Sequence, residues 1–386
     1  MSPKVFLVGA TGHIGGAVLH AIHNTYSSSH VQIFVLVRSQ SDAEYLRQQY
    51  SVTSIIGTLE SIEEVAGQIK SSDIVISVST PWYHITTSEI DKYTDCAPDI
   101  PYVDSITKIL DIFNKAESKQ YYIGTSGAAS IWSAPDGNTP GDRIWDDIDD
   151  IDDIMSLPET GPHSAIDRIV LGAATDTLKT AIVSPVMVMG LSPSKTHPCP
   201  LTFPDYLWVV EKLGCGYTID KGLNQTSFIH VNDVAKLYSH ILSSALRELG
   251  VSLPPQFAPT AASLETGVEI WGPRVYYFAS GPTISWKDFL GQHILPSLKT
   301  HNADFFASSP SETLKEISIS EATGIIKERV GSFEGADVYS RHIADSMGTT
   351  MRTRASRAEK AFGWKAGEEL GIDKAVQLFL SKRKRF

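Results

Sequence analysis

Residues Val5 to Gly16 read VFLVGATGHIGG, and the order of residue types in that stretch decides the fold. Four apolar residues (Val5, Phe6, Leu7, Val8) run straight into Gly9-Ala10-Thr11-Gly12-His13-Ile14-Gly15. Beyond them Ala17, Val18, Ala21 and Ile22 recur at helical spacing. This predicts a buried strand, a tight turn, and a helix whose N-terminus faces the turn. The glycines have steric reasons. One lets the backbone turn sharply, one lets a pyrophosphate approach the main chain, and one lets the helix pack closely on the strand. Free amides and the helix dipole then hold the phosphates. We therefore expect a dinucleotide site, with Gly9, Thr11, Gly12, His13, Ile14 and Gly15 against the cofactor.

The next apolar run, Val31 to Val37, predicts a second strand that ends at Arg38, 23 residues beyond Gly15. In dinucleotide folds this is where the ribose 2′ position is read. An acid there accepts from a 2′-hydroxyl, whereas an arginine pairs with a 2′-phosphate. Arg38, with no acid before Asp42, predicts NADP rather than NAD. Further strands are expected at Val52 to Gly57, Ile74 to Ser79, Tyr121 to Ile123 and Thr180 to Val183, with helical stretches between them. The alternation implies βαβ units and a parallel sheet, with ligands gathered at the carboxyl ends of the strands. Ser79, before the Thr80-Pro81 break, is expected near the cofactor's central ribose, and Thr125 and Ser126 lie where the fifth strand ends.

Residues Trp132 to Gly161 read as an insertion rich in Pro, Gly and Asp. Its run Trp145-Asp-Asp-Ile148-Asp-Asp-Ile151-Asp-Asp-Ile154 repeats isoleucine every three residues. We expect those isoleucines to share one helical face and the acids to point to water, with no metal bound. A helix is expected from His163 to Thr177, a proline-rich loop from Leu191 to Asn224, and mostly helical chain after Ser285. The bulky apolar residues Phe203, Tyr206, Leu207, Trp208 and Trp286 hint at an apolar ligand, although most such residues are core.

Bulk properties narrow the classes. The chain has 386 residues, 42% hydrophobic and 20% charged, as in a globular protein with ample core. A formal charge of −11 argues against a nucleic-acid partner. The basic tail Lys382 to Arg385 reads as a solvated end. Three scattered cysteines suggest no disulfide framework, and no apolar run approaches membrane-spanning length. The first strand begins almost at Met1, leaving no room for a signal peptide, so a cytoplasmic setting is expected. Nothing in the sequence fixes an oligomeric state.

Taken together, GATGHIGG, the strand-four SVST, IGTSG (123–127), SPVMVMG (184–190), FIHVNDVA (228–235) and RAEKAFGW (357–364) resemble the extended short-chain dehydrogenase/reductase family. Within it the chain is most similar to the atypical branch of fungal, NmrA-like and epimerase-like NAD(P)-binding proteins. The resemblance implies an α/β, Rossmann-type doubly wound parallel sheet. Residues 1–190, completed by about 226–245 and 272–280, would bind NAD(P). Residues 191–225 and 281–386 would form a smaller, mostly helical substrate-binding region. Pro185 would lie beside the cofactor. The family works with a tyrosine four residues before a lysine on the helix after strand five, helped by a serine, which Ser126 matches. The pair itself has no match: one register puts Ser164 and Arg168 at those positions, the other His163 and Asp167. The implied function is an NADP-dependent oxidoreductase acting on a small, apolar organic carbonyl or alcohol, in secondary metabolism. Ser126 and His163 would act on the substrate and Arg168 would hold the cofactor. An isomerase, cyclase or epimerase without net redox, or a non-catalytic NADP sensor, are the alternatives.

Overall fold

The apolar run predicted around Val5 forms β1 (Lys4–Val8), all but its first residue buried. In a computed structural model of the chain, the described residues are 2–59, 61–78, 103–113, 118–253, 257, 267–301, 314–333 and 335–383. After β1 come α1 (His13–Thr25), β2 (Gln32–Val37), α2 (Gln40–Tyr50), β3 (Thr53–Ile56) and α3 (Ile62–Lys70). Then follow β4 (Ile74–Ser77), α4 (Val103–Phe113) and β5 (Gln120–Thr125). The insertion contributes β6 (Trp145–Asp146) and α5 (Ile151–Met155), and leads to α6 (Ser164–Gly172), β7 (Leu178–Pro185) and β8 (Met187–Met189). Next are α7 (Phe203–Leu213), β9 (Tyr217–Ile219), β10 (Gln225–His230), α8 (Val231–Glu248) and β11 (Tyr276–Ala279).

Seven strands pair in parallel in the order β11-β7-β5-β4-β1-β2-β3. The strand order reverses between β1 and β4, and this is where a doubly wound sheet opens a crevice at its carboxyl edge. Register aligns that edge: Val8 lies beside Leu36 and Ser77, and Thr125 beside Val183. Because both faces are covered, β4 and β5 are buried throughout and read as continuous apolar runs instead of alternating ones. α8 packs on α1, while α4 packs on α3 and α6.

A second core gathers α7, the buried faces of Ile319–Val330, Ala336–Gly348 and Ile372–Arg383, and the aromatic side chains of Trp286 and Phe289. Phe203, Tyr206, Leu207 and Trp286 are wholly buried there, so these bulky residues are packing and do not line a ligand site. Trp208 donates its indole N–H to the Ile325 carbonyl. At the centre of this core Asp205 accepts from Arg329 and from the Tyr339 hydroxyl (2.8 Å).

The insertion corrects one expectation. Ile151 and Ile154 are buried, but so are Asp146 and Asp147. Asp147 accepts from the backbone N–H groups of Phe278 (2.9 Å) and Arg357 (2.8 Å), and Asp146 accepts from those of Ile148 and Asp149. The first two acids of the run are therefore the pins that fasten the insertion to β11 and to the later helix Ser356–Phe362. The remaining acids lie nearer solvent, where Asp150 and Asp153 pair with Arg143 and Asp152 with Arg274. No cluster able to hold a metal ion occurs among the described residues.

Candidate functional site

The site begins where β1 stops. Gly9 has φ +85°, a left-handed conformation that glycine adopts without steric penalty. Its carbonyl accepts from the Gly12 amide at 3.0 Å, which closes the turn. A Cβ on Gly15 would lie 1.9 Å from the Gly9 oxygen, so glycine is required for α1 to sit this close to the turn. The Gly16 amide bonds to the Gly12 carbonyl. Between them, the amides of His13, Ile14 and Gly15 form the first turn of α1, where helix geometry supplies no acceptor. No side chain caps this end and no acid lies in its first turn, in contrast to α2, which Ser39 caps. This is an N-terminus prepared for an anion.

The turn's carbonyls are held from the other side. Ser194 Oγ donates to the Thr11 carbonyl at 2.6 Å, and His197 Nδ1 approaches the same oxygen at 3.0 Å. Ser192 Oγ donates to the His13 carbonyl at 2.6 Å. The proline-rich loop beginning at Leu191 is thus a strap over the outer side of the turn. No residue pattern foretells this, because a loop's path is written in no periodicity. His13 Nδ1 lies 3.2 Å from the His197 carbonyl, which requires the proton on Nδ1. Burial pushes the ring down to about 4. Its Nε2 is a buried acceptor without a partner, which suits a sugar hydroxyl and not a phosphate oxygen. His13 thus offers an anion only its backbone amide.

Arg38 is exposed immediately after β2, beside the capped start of α2. Ser39 Oγ bonds Asp42 and caps α2, so the first acid after the strand is turned onto its own helix. Ser79 falls outside the described residues.

At the end of β5 the two expected residues separate. The Thr125 hydroxyl donates to the Ser77 carbonyl (2.6 Å) and pairs with the Tyr238 hydroxyl of α8, so it knits strands and helix together. Ser126 turns to the opposite face and donates to Asp167 Oδ2 at 2.7 Å. Its Oγ also lies 3.2 Å from the Tyr276 hydroxyl of β11. All three residues are buried. Burial, aided by the Asp167 charge, pushes the Tyr276 phenol far above its usual range, so it stays neutral and donates. The site therefore contains a tyrosine, but one that arrives from a neighbouring strand. In sequence it sits unmarked inside VYYF (275–278).

The structure selects between the two helix registers. Arg168 turns away from Ser126 and donates to the carbonyls of Met155 and Leu157 and to Glu159 (2.8 Å). It braces the insertion and is not brought together with Ser126, contrary to the expectation that it holds the cofactor. Asp167 and His163 face the strand end instead. His163 precedes α6 at φ +64°, a left-handed conformation costing about 1 kcal/mol for a non-glycine residue. That backbone throws its ring over Gly127, where an added Cβ would be 2.5 Å from Nε2. Beside it His342 is stacked on Trp132 at 4.7 Å, and burial with the nearby His163 pushes His342 down to about 4. Pro185 is buried at the end of β7, level with Ala279.

The parts fit a nicotinamide dinucleotide: open amides at α1 for a diphosphate, and a polar cluster at the end of β5 on the same edge of the sheet. When bound, the cofactor supplies a hydride or accepts one. The residues here offer hydroxyls and an imidazole beside that edge: Ser126, held by Asp167 and Tyr276, and the ring of His163 over Gly127.

Residues 9–140 match a family model described as NAD(P)H-binding. The chain is similar to the oxidase ucsJ of an Acremonium species, 22% identical over 297 residues covering 74% of this chain and 76% of that one. Its fold is similar to that of a variant UDP-glucuronic acid 4-epimerase from Bacillus cereus crystallised with NAD (TM-score 0.58, 12% identity, 99% of this chain and 100% of that one). It is also similar to a dTDP-glucose 4,6-dehydratase from Streptomyces venezuelae with NAD bound (TM-score 0.59, 12% identity, 99% and 98%). No helix among the described residues is long and apolar enough to cross a membrane. Residues 9–140 are thus an NAD(P)H-binding domain by their match, carried on a parallel sheet ordered as in a doubly wound dinucleotide fold.

Proposed function

We propose that this protein is an NADP(H)-dependent oxidoreductase acting on a small, apolar organic carbonyl or alcohol in secondary metabolism. The observation that carries this reading is the Ser126–Asp167–Tyr276 network with His163 at its mouth, on the same sheet edge as the open α1 amides. With its own proton given to Asp167, Ser126 accepts from the hydroxyl of the substrate alcohol, and His163 gives or takes the proton that accompanies hydride transfer. Trp132, half-buried and stacked on His342 next to His163, offers apolar surface beside it. Arg38 favours the 2′-phosphate of NADP over the 2′-hydroxyl of NAD. The oxidase ucsJ is in keeping with redox chemistry. The test is loss of reduced-nicotinamide absorbance with a panel of ketones, or its gain with the matching alcohols. Turnover that survives both Ser126→Ala and His163→Asn rejects the assignment.

One observation favours a second reading. A carboxylate stands where the family has a lysine, and a negative charge there assists proton removal over proton donation. Epimerisation or isomerisation without net redox uses such a base. Solvent deuterium entering a substrate with no change in the cofactor's absorbance distinguishes it.

A further inference from the structure

The strap over the glycine turn carries one charge. From Leu191 to Pro204 the sequence is LSPSKTHPCPLTFP, and Lys195 is its single charged residue. Three hydrogen bonds fix the backbone on either side of it: Ser192 to His13, and Ser194 and His197 to Thr11. Gly16 lets the strap sit this close, since a Cβ there would lie 2.6 Å from Ser194 Cβ. From this anchorage the exposed Lys195 side chain reaches across to α2, where Nζ lies 4.7 Å from the ring centre of Tyr45. The residue is thus anchored through its neighbours to Thr11 of the turn, and its ammonium rests on the helix that begins two residues after Arg38. That is the flank along which the adenosine ribose of a dinucleotide runs when its diphosphate is on α1. A cation on an exposed tyrosine face is held weakly, by about 0.5–1 kcal/mol, so it is oriented without being locked away from an anion.

We propose that Lys195 is a second cation for the 2′-phosphate of NADP, closing over it from the strap while Arg38 meets it from the end of β2. This rests on the NADP reading above and adds to it a residue from the part of the chain assigned to substrate binding. Arginine pairs with the phosphate through its planar fork, whereas lysine contributes a mobile point charge. The dianion is then flanked by two positive charges, one on each side.

The experiment is calorimetric titration of the full chain with NADP+, NAD+ and 2′,5′-ADP, for the unmodified protein and for Lys195→Gln, Lys195→Arg and Tyr45→Leu. Lys195→Gln is expected to weaken NADP+ and 2′,5′-ADP about tenfold, the size of one charge-assisted contact, and to leave NAD+ within about twofold. Lys195→Arg retains most of the affinity, and Tyr45→Leu loses a smaller part of it. The dependence of NADP+ affinity on salt becomes shallower in Lys195→Gln. NADP+ preference that persists unchanged in Lys195→Gln overturns the lysine's role and leaves the NADP reading intact. An equal loss for NADP+ and NAD+ overturns the 2′ assignment and moves the contact to the diphosphate. If the unmodified chain binds NADP+ no better than NAD+, the NADP reading itself fails, and this site with it.

Discussion

Replacing Gly15 by alanine tests the turn in its most constrained place. The new methyl would lie 1.9 Å from the Gly9 oxygen and 2.6 Å from its carbonyl carbon. Both are backbone atoms, in a residue at φ +85° whose oxygen already accepts from Gly12. No rotamer relieves the clash, so α1 must withdraw from the turn by at least about 1 Å. Overpacking of this kind costs about 1–3 kcal/mol, which in a domain of this size lowers the melting temperature by roughly 2–10 °C. Nucleotide affinity falls further than stability. The amides at positions 13 and 14 ride on the displaced turn, and losing two charge-assisted bonds at about 1.5–2 kcal/mol each weakens binding by about 10²–10³-fold. Gly324→Ala, on an exposed helical position with nothing within 4 Å of the added carbon, is the control. It raises stability by about 0.5–1 kcal/mol and leaves binding unchanged. The assay is thermal melting paired with calorimetric titration of NADPH. A Gly15→Ala protein with unaltered melting and NADPH affinity within about threefold of the parent refutes the account of the turn.

At the end of β5, Asp167→Asn keeps the shape that positions Ser126 but removes the charge. Turnover should fall and its acid limb should shift, whereas a packing role alone would leave the pH profile in place. His163→Asn retains a residue that tolerates the left-handed backbone, so it should fold normally while losing about 10²–10⁴-fold in rate to the missing acid–base group. Acid lability follows from His13 and His342, each lowered by burial from 6.5 to about 4. Unfolded, both rings take a proton near pH 6.5, so stability is complete above that pH and is lost as the pH falls towards 4. With their partial exposure discounted, the loss is about 2 kcal/mol for each ring, read as a fall in the urea midpoint. In the second core, Asp205→Ala leaves Arg329 without its buried carboxylate and should cost about 3–5 kcal/mol in urea unfolding.

The sheet was legible because its strands are buried on both faces and therefore read as unbroken apolar runs, and because GATGHIGG admits few other local structures. That β1 to β5 and β7 pair in parallel followed from their alternation with helices. What stayed hidden depended on long-range contacts. Asp147 reads like its five neighbouring acids, yet two backbone amides from distant segments draw it into the core. Arg168 and Asp167 differ by one position in an amphipathic helix. Only the presence of the carbonyls of Met155 and Leu157 on one side, and of Ser126 on the other, decides which turns inward. Tyr276 lies in a strand far along the chain and meets Ser126 only because β7 pairs with both β5 and β11. The strap's serines carry no pattern that would set them on the glycine turn.

The end of β5 differs in a definite direction from the tyrosine–lysine pair that the sequence resemblance implies. A lysine in the second position would depress a phenol's pKa, whereas Asp167 raises that of Tyr276. The tyrosine is therefore a neutral hydrogen-bond donor, which is why the proposed proton transfer falls to His163. The backbone there is held in a costly conformation, as functional positions often are.

The measurement that bears most directly on the whole account is the electron density of the protein crystallised with NADP+. The diphosphate is expected on the amides of His13 and Ile14, the 2′-phosphate between Arg38 and Lys195, and the nicotinamide beside Ser126 and His163. A nucleotide bound elsewhere, or one whose nicotinamide ring lies away from the end of β5, would contradict it.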